Sequence, residues 1–571
     1  MINLFSLLIR CLFLSISIAA LAQSQATIPE LSPFGIGGDA ECTHSVQNCA
    51  KWVPQMESIG IGFARTCDSS WASVEPQEGR WTWGTLDGEM RLLTEHRIAF
   101  GTILFGTVPW NKQDDPGSLP VNNLSAWTNY VSEVAKHVKG KSKYFEVWNE
   151  PPNFIGPHQT AADYAKIVVA TYDVVKAVDP NALVGIEAKS VDINFLDQTI
   201  KDGAKGHFDY VIFHPYEVLG GVAEDKGTEA IYMSIVPTVR KMLAERDPEK
   251  INAPIMFTEL GYDAKRSANT QAYALVKAYT MGIAQGVDLI TWFEGMDGDS
   301  GEIGLLDSAG KPRPSYMAMA QMIRYFGLHP TYLGWVLLNK KDYGFVFQGA
   351  TTTVLCTWAF KGTPSHVVFG RVVQVVEPLT GKTSGVNSCD LTTAPIFVTG
   401  VPTTLVAEAR ANREKPFPWD GNYSNAKSVS ITMGKTVVEK GLHSQSADSI
   451  AADLVTYEGS GRPGDVPGGN VFMVDPNFLS YTSTPIEVSL VVRRNPGDDE
   501  AGFKLVYEST NGFKDCGWYT IPDNKEWHTV KWKITDAQFV SMWNYNFLLD
   551  SDDNKYGKYS IQSVKVTKLT R

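Results

Sequence analysis

The sequence predicts a (β/α)8 barrel followed by two all-β units. Three observations lead there. Between about residues 30 and 325, short apolar runs alternate with stretches of helical period. The runs are continuously apolar rather than alternating, as strands buried on both faces of a parallel sheet are. After about residue 325 the helical period gives way to closely spaced strand-like runs separated by Gly, Pro, Asn and Lys.

The strand-like runs of the first part are Phe34–Gly37, Gly62–Thr66, Ile98–Phe105, Tyr144–Trp148, Leu183–Ile186, Tyr210–Phe213, Ile255–Thr258 and Leu289–Phe293. Between them, Trp127, Tyr130, Val131, Val134, Ala135 and Val138 form one apolar helical stripe. Tyr164, Ile167, Val168, Thr171, Val175 and Val178 form another, which stops at Asp179-Pro180. Eight such units in about 300 residues have the count and size of a barrel. A doubly wound sheet would carry a glycine-rich phosphate loop after its first strand. Gly35-Ile36-Gly37-Gly38 lacks the full pattern. The barrel is placed at 30–328. The runs Tyr343–Gln348, Thr353–Ala359, Val367–Phe369, Val372–Glu377 and Ala394–Val398 predict a β-sandwich over 329–406. A charged, then proline-rich stretch at 407–421 reads as a linker. Strand candidates at Ile486–Val492, Gly502–Glu508, Trp527–Ile534 and Ile561–Thr567 predict a jelly roll over 422–571.

The 571 residues carry a net charge of −11, which argues against nucleic acid or an acidic membrane as partner. The N-terminus has the layout of a secretory leader over 1–22. Arg10 precedes the apolar run Cys11 to Ala20, and Ala20-Leu21-Ala22 offers a cleavage site. The expectation is a secreted or periplasmic protein. Six cysteines then remain: Cys42, Cys49, Cys67, Cys356, Cys389 and Cys516. In an oxidising compartment the nearest pairings are Cys42 with Cys49 and Cys356 with Cys389. The ten histidines are scattered, with neither an H-E-x-x-H nor a paired-cysteine motif, so no metal or other cofactor is expected.

The chemistry points to two glutamates. Glu150 ends the fourth strand in Trp148-Asn149-Glu150-Pro151-Pro152, and Glu259 ends the seventh in Phe257-Thr258-Glu259-Leu260-Gly261. In a barrel, reactive groups sit at the C-terminal strand ends, where these two tips face each other across the mouth. Two carboxylates roughly 5 Å apart are what double-displacement hydrolysis of a glycosidic bond requires. Glu150 would protonate the departing oxygen, with a raised pKa, and Glu259 would attack the anomeric carbon. Arg65 ends the second strand and would hold Glu259 charged. Asn149 would bond a sugar hydroxyl. In His214-Pro215-Tyr216 the tyrosine hydroxyl would orient the nucleophile. Trp292 ends the eighth strand and would offer a sugar platform. Glu187 and Glu294, at the ends of the fifth and eighth strands, would line the cleft. The competing reading of the two glutamates is a pair of structural loop carboxylates.

These strings resemble clan A retaining glycoside hydrolases, with Asn-Glu ending the fourth strand and Glu the seventh. Arg65, Trp71, Glu75-Pro76, Gly79, Trp81 and Leu86-Asp87 are similar to a recurring stretch of that clan, and Gly304-Leu305-Leu306-Asp307 with Gly310-Lys311-Pro312-Arg313-Pro314 to its barrel end. Trp148-Asn149-Glu150-Pro151, His214-Pro215-Tyr216 and Thr258-Glu259-Leu260-Gly261 look most like family 39 and its relatives, although Pro152 stands where that family often has Asn. The resemblance implies Glu150 as acid/base, Glu259 as nucleophile and a poly- or oligosaccharide as substrate. The block 422–571 looks like a carbohydrate-binding module, with Trp518, Trp527, Trp532 and Trp543 as stacking or core residues. The alternatives are a transglycosylase using the same residues, and a glycan-binding protein on a barrel that has lost catalysis.

Overall fold

Eight parallel strands close on themselves in the computed structural model: β1 (Phe34–Gly37), β2 (Phe63–Thr66), β3 (Ala99–Leu104), β4 (Tyr144–Val147), β5 (Leu183–Lys189), β6 (Tyr210–His214), β7 (Ile255–Leu260) and β8 (Leu289–Trp292). The structure describes residues 31–569 except 38–45, 67–68, 299, 434–436, 445–454, 457–468, 496, 498–499 and 554. The expected leader therefore lies outside the described residues. A helix follows each strand, among them Leu124–Val138, whose buried stripe is the one predicted, and Ala161–Val178, closed by a Thr160–Asp163 capping box. No helix among the described residues is long and apolar enough to cross a membrane.

The barrel interior is layered by strand alternation. Phe63, Ala99, Tyr144, Tyr210, Ile212, Met256 and Leu289 form an apolar floor. Two residues further along the same strands, on the same face, stand Arg65, Gly101, Glu146, His214, Thr258 and Thr291, with Glu187 beside them on β5. The floor is thus capped by a buried polar layer on the side of the C-terminal strand ends.

The next region is a six-stranded antiparallel sheet. It comprises β9 (Thr331–Leu338), β10 (Asp342–Gln348), β11 (Thr353–Thr357), β12 (Ser365–Val376), β13 (Thr383–Leu391) and β14 (Ile396–Thr399), in the order β13-β12-β14-β11-β10-β9. Phe347 and Phe397 on one face pack on Phe326 of the last barrel helix, with ring centroids 4.8 and 5.4 Å apart. The opposite face buries Val336, Val346, Leu355 and Val398 with Ala409. That alanine belongs to the helix Thr403–Asn412, so the stretch 407–421 read as a linker begins inside a packed helix. The helix lies so close to β9 that a Cβ at Gly334 would stand 1.8 Å from the Ala409 carbonyl oxygen. The proposed Cys356–Cys389 disulfide is absent, and both thiols are free. Cys356 is on β11 and Cys389 on β13, with β12 and β14 between them. Three strand spacings, about 14 Å, exceed what a disulfide spans. Cys49 is disulfide-bonded, and its partner lies outside the described residues.

The C-terminal region stacks two antiparallel sheets. One joins Val438–Lys440, Ser428–Thr432, Tyr559–Lys568, Ile486–Arg494 and His528–Ile534. The other joins Leu442–Ser444, Gly469–Val474, Phe547–Asp550, Gly502–Ser509 and Gly512–Thr520. This sandwich rests on the barrel beside β5. Asn194 donates to the carbonyls of Ser509 and Gln538, the Ser190 hydroxyl donates to the Met542 carbonyl at 2.6 Å, and Lys241 donates to Ser480.

Candidate active site

Arg65 is the hub of the polar layer. Its side chain is 1% exposed, and its planar guanidinium meets three partners at once. It donates through Nε to Glu146 at 2.7 Å, through Nη2 to Asn149 Oδ1 at 2.8 Å, and through Nη1 to Glu259. Because Asn149 accepts from the arginine, its amide NH2 end is turned away from the guanidinium. The Tyr216 hydroxyl donates to the other oxygen of Glu259 at 3.1 Å. Register with β8 shifts between Phe257 and Leu260. Such an irregularity re-aims a side chain at a strand end, here Glu259 beside inward-facing Thr258.

Glu150 stands on a backbone of unusual shape. Trp148 and Glu150 both have positive φ, 72° and 46°, in a region that costs non-glycine residues about 1–3 kcal/mol. The surroundings hold it there. The Trp148 amide donates to the Leu104 carbonyl, its indole to the Phe154 carbonyl, and the Glu150 amide to Glu187 Oε1 at 2.7 Å. One carboxylate oxygen each of Glu150 and Glu259, with a ring nitrogen of His214, lie within 4.8 Å of one another. Both carboxylates keep a little exposure at the mouth, 18% and 15%.

His214 lies beneath the pair with no side-chain exposure. Its Nδ1 is 2.9 Å from Glu150 and 3.8 Å from Glu259, and its Nε2 is 3.1 Å from the Thr258 hydroxyl and 3.4 Å from Glu187. Burial opposes the charged ring, but Glu259, Glu187 and the bond to Glu150 outweigh it and hold the imidazole at about 9. Burial pushes Glu187 up to about 7. For Glu150 burial also pushes upward, yet the bond and charge of His214, with Arg65 and Lys189, prevail. Its pKa therefore lies below the ordinary glutamate value, opposite to the expected direction. Glu150, His214 and Glu259 could each offer a metal one ligand atom. At neutral pH, however, a protonated His214 and Arg65 already supply the cations these carboxylates face.

Glu150, Glu259, Arg65, Asn149, His214 and Tyr216 thus come together, and two expected residues do not. Trp292 is fully buried and its indole donates to the Ile303 carbonyl, so it offers no sugar platform. Alternation explains this: Thr291 points into the barrel, where its hydroxyl donates to the Thr258 carbonyl, so Trp292 points out toward the helices. Glu294 is also fully buried, and its carboxylate accepts from the Gly298 amide rather than lining the cleft.

Sequence reasoning missed two contributors, Glu146 and Lys189, and the roles of two residues it named, Glu187 and Trp543. Glu146 anchors Arg65, and Glu187 holds the Glu150 amide. Lys189 donates to Asn153 at 2.6 Å and adds positive charge near Glu150. Trp543, carried by the sandwich, lies 4.3 Å from the Lys189 ammonium. The spacing of two between floor and polar layer was a usable signal for Glu146. Nothing local in sequence pairs Lys189 with Trp543. Beside β4, Phe105, Trp148, Phe154, Ser70 and Thr107 line a cavity of about 310 Å³, with Phe154 48% exposed.

No family model matches the chain. Among solved structures, it is similar to a family 39 glycoside hydrolase from the gut symbiont Bacteroides cellulosilyticus WH2, at 18% identity over 65% of this chain and 82% of that one, with a TM-score of 0.51. It also matches an exo-β-1,4-mannosidase from Opitutaceae bacterium strain TAV5 (18% identity, 51% of this chain and 59% of that one, TM-score 0.42). A third match is a glucosidase from Croceicoccus marinus (11% identity, 95% and 98%, TM-score 0.41). The chain shares its barrel fold with the family 39 glycoside hydrolase.

Proposed function

We infer that the protein is a retaining β-glycosidase that hydrolyses an oligo- or polysaccharide by double displacement. The observation that carries this reading is the approach of Glu150 and Glu259 to within 4.8 Å at the barrel mouth. That separation suits a nucleophile and an acid/base on one sugar ring, and leaves too little room for the intervening water of an inverting enzyme. In the first step a Glu259 oxygen bonds the anomeric carbon while the glycosidic C–O bond breaks and Glu150 gives its proton to the departing oxygen. In the second, Glu150 takes a proton from water as the water oxygen displaces Glu259. Arg65 and Tyr216 fix the nucleophile, and Asn149 presents N–H donors for a hydroxyl of the bound ring. His214, bonded to Glu150 through Nδ1, shares the proton that Glu150 gives up in the first step and regains from water in the second, so each turnover ends in the starting protonation state. The leader-like residues 1–22 support export to a compartment where such a glycan would be met.

The test is trapping with a 2-deoxy-2-fluoro glycoside bearing an activated leaving group. Intact mass should rise by one fluoroglycosyl unit, located on the peptide containing Glu259. Glu150→Ala should slow substrates with poor leaving groups far more than activated aryl glycosides, because only the former need a proton. A protein that forms no adduct with any β-glycosyl fluoride it binds is not a retaining enzyme.

A further inference from the structure

We propose that the C-terminal sandwich carries a separate binding site for a neutral pyranose of a glycan chain, with Trp518 as its platform. Trp518 is 42% exposed. Lys504 is the register partner of Trp518 on one neighbouring strand and of Asp550 on the other. The three side chains therefore stand in one row across three strands, on one face. Phe503 and Leu505, which alternate with Lys504, belong to the inner core, so the row faces outward. Tyr556 meets the indole edge-on at 5.1 Å, and Glu500 and Asp552 complete a cavity of about 280 Å³ around it.

The indole is seated to be stacked upon. A Cβ at Gly502 would stand 2.8 Å from Cζ2 and 2.9 Å from Cε2 of Trp518. The ring thus rests on the glycine backbone, and only a residue without a side chain permits that approach. Its Nε1 donates to Thr520 at 3.1 Å, which fixes the ring in its plane. What remains open is an apolar aromatic surface rimmed by hydrogen-bonding groups. A pyranose has the complementary form, an apolar C–H face with hydroxyls around its edge. Glu500, Asp550 and Asp552 supply acceptors and Lys504 a donor. Three carboxylates against one ammonium in the cavity rim favour neutral hydroxyls over a uronate or sulfate ring. The site lies on the sandwich, outside the Glu150–Glu259 cleft, and it does not depend on whether the barrel hydrolyses.

Native gels containing soluble xylan, β-mannan, mixed-linkage β-glucan or, as a charged control, polygalacturonate would test it. The wild type should be retarded by at least one neutral polymer more than by polygalacturonate. Trp518→Ala should lose that retardation by tenfold or more in apparent affinity, and Trp518→Phe should keep part of it. Lys504→Ala should weaken it too, which tests the site without touching the aromatic ring. Wild-type-like retardation of Trp518→Ala would overturn the proposal. So would a wild type that no neutral polymer retards, or that polygalacturonate retards most. Cleavage is read separately on an aryl glycoside, so loss of one reading leaves the other intact.

Discussion

At the scale of single residues, the site depends on charges that are buried together. Arg65 and Glu146 are each 1% exposed, and Arg65 also holds Glu259 and Asn149. Removing one member of a buried pair leaves the other uncompensated, at a cost of about 3–5 kcal/mol. Arg65→Met should therefore lower the unfolding free energy by that order as well as abolish turnover, read from denaturant melts. Arg65→Lys keeps the charge but cannot reach three acceptors in one plane, so its melt should recover more than its rate. His214 gives a sharper test. Its bond and charge oppose the burial that would raise Glu150. Without the imidazole the burial effect is left with only Arg65 and Lys189 against it, and the Glu150 pKa rises. His214→Ala should lower kcat by roughly 10- to 100-fold, while the basic limb of kcat/KM moves to higher pH. A limb that stays in place, or moves down, contradicts this account of the pair.

At the scale of elements, much of the barrel was legible because each strand is a short apolar run that ends in a polar residue. Glu150 and Glu259 stood out because each closes such a run. What escaped sequence reasoning did so for identifiable reasons. Trp292 was placed at the right strand end but assigned to the wrong side, although alternation from Thr291 would have turned it outward. The helix Thr403–Asn412 was read as a linker because its buried side is narrow, with Ala409 and Asn412 as its buried residues. The loop from Val540 to Asn546 has no local signature, since its barrel partners, such as Ser190 bonded to Met542, lie hundreds of residues away. Buried Glu508 shapes that loop, accepting from the amides of Val540, Ser541 and Met542 and from the Asn546 side chain. This brings Trp543 over Lys189. Glu508→Leu would strip several buried amides of their acceptor, at about 1–3 kcal/mol each. The variant should melt earlier. Trp543→Ala should leave the melt nearly unchanged and shift the pH dependence of activity, because Lys189 would be less firmly held beside Glu150. Equal effects of the two substitutions on melting would refute that division of roles.

For the whole molecule, the buried ionisable groups set how stability responds to pH. Burial raises Glu187 and Glu508 to about 7 and Asp475 to about 6. His214 is held at about 9 by its carboxylate neighbours against the effect of burial. Each of these groups binds its proton more tightly in the folded chain than in the unfolded one. Stability from such groups is complete below the unfolded pKa and is lost as pH rises through the folded one. The acids therefore withdraw stability between about pH 4 and 7, and His214 between about pH 6.5 and 9. Glu439 acts in the opposite sense. Burial would raise it, but the bond and charge of His443, with Lys361, bring it to about 2, so its contribution disappears only as pH falls from about 4.5 toward 2. The balance predicts a thermal midpoint that declines steadily from pH 5 to pH 9 at fixed ionic strength, followed by scanning calorimetry. In His214→Ala the part of the decline between about pH 6.5 and 9 should flatten, while the part below it persists, because the shifts of Glu508 and Asp475 come from burial and their own neighbours in the sandwich rather than from His214. A wild-type midpoint that rises across this range would mean that these groups do not hold their protons in the folded state, and the proton shared by His214 and Glu150 would fall with them.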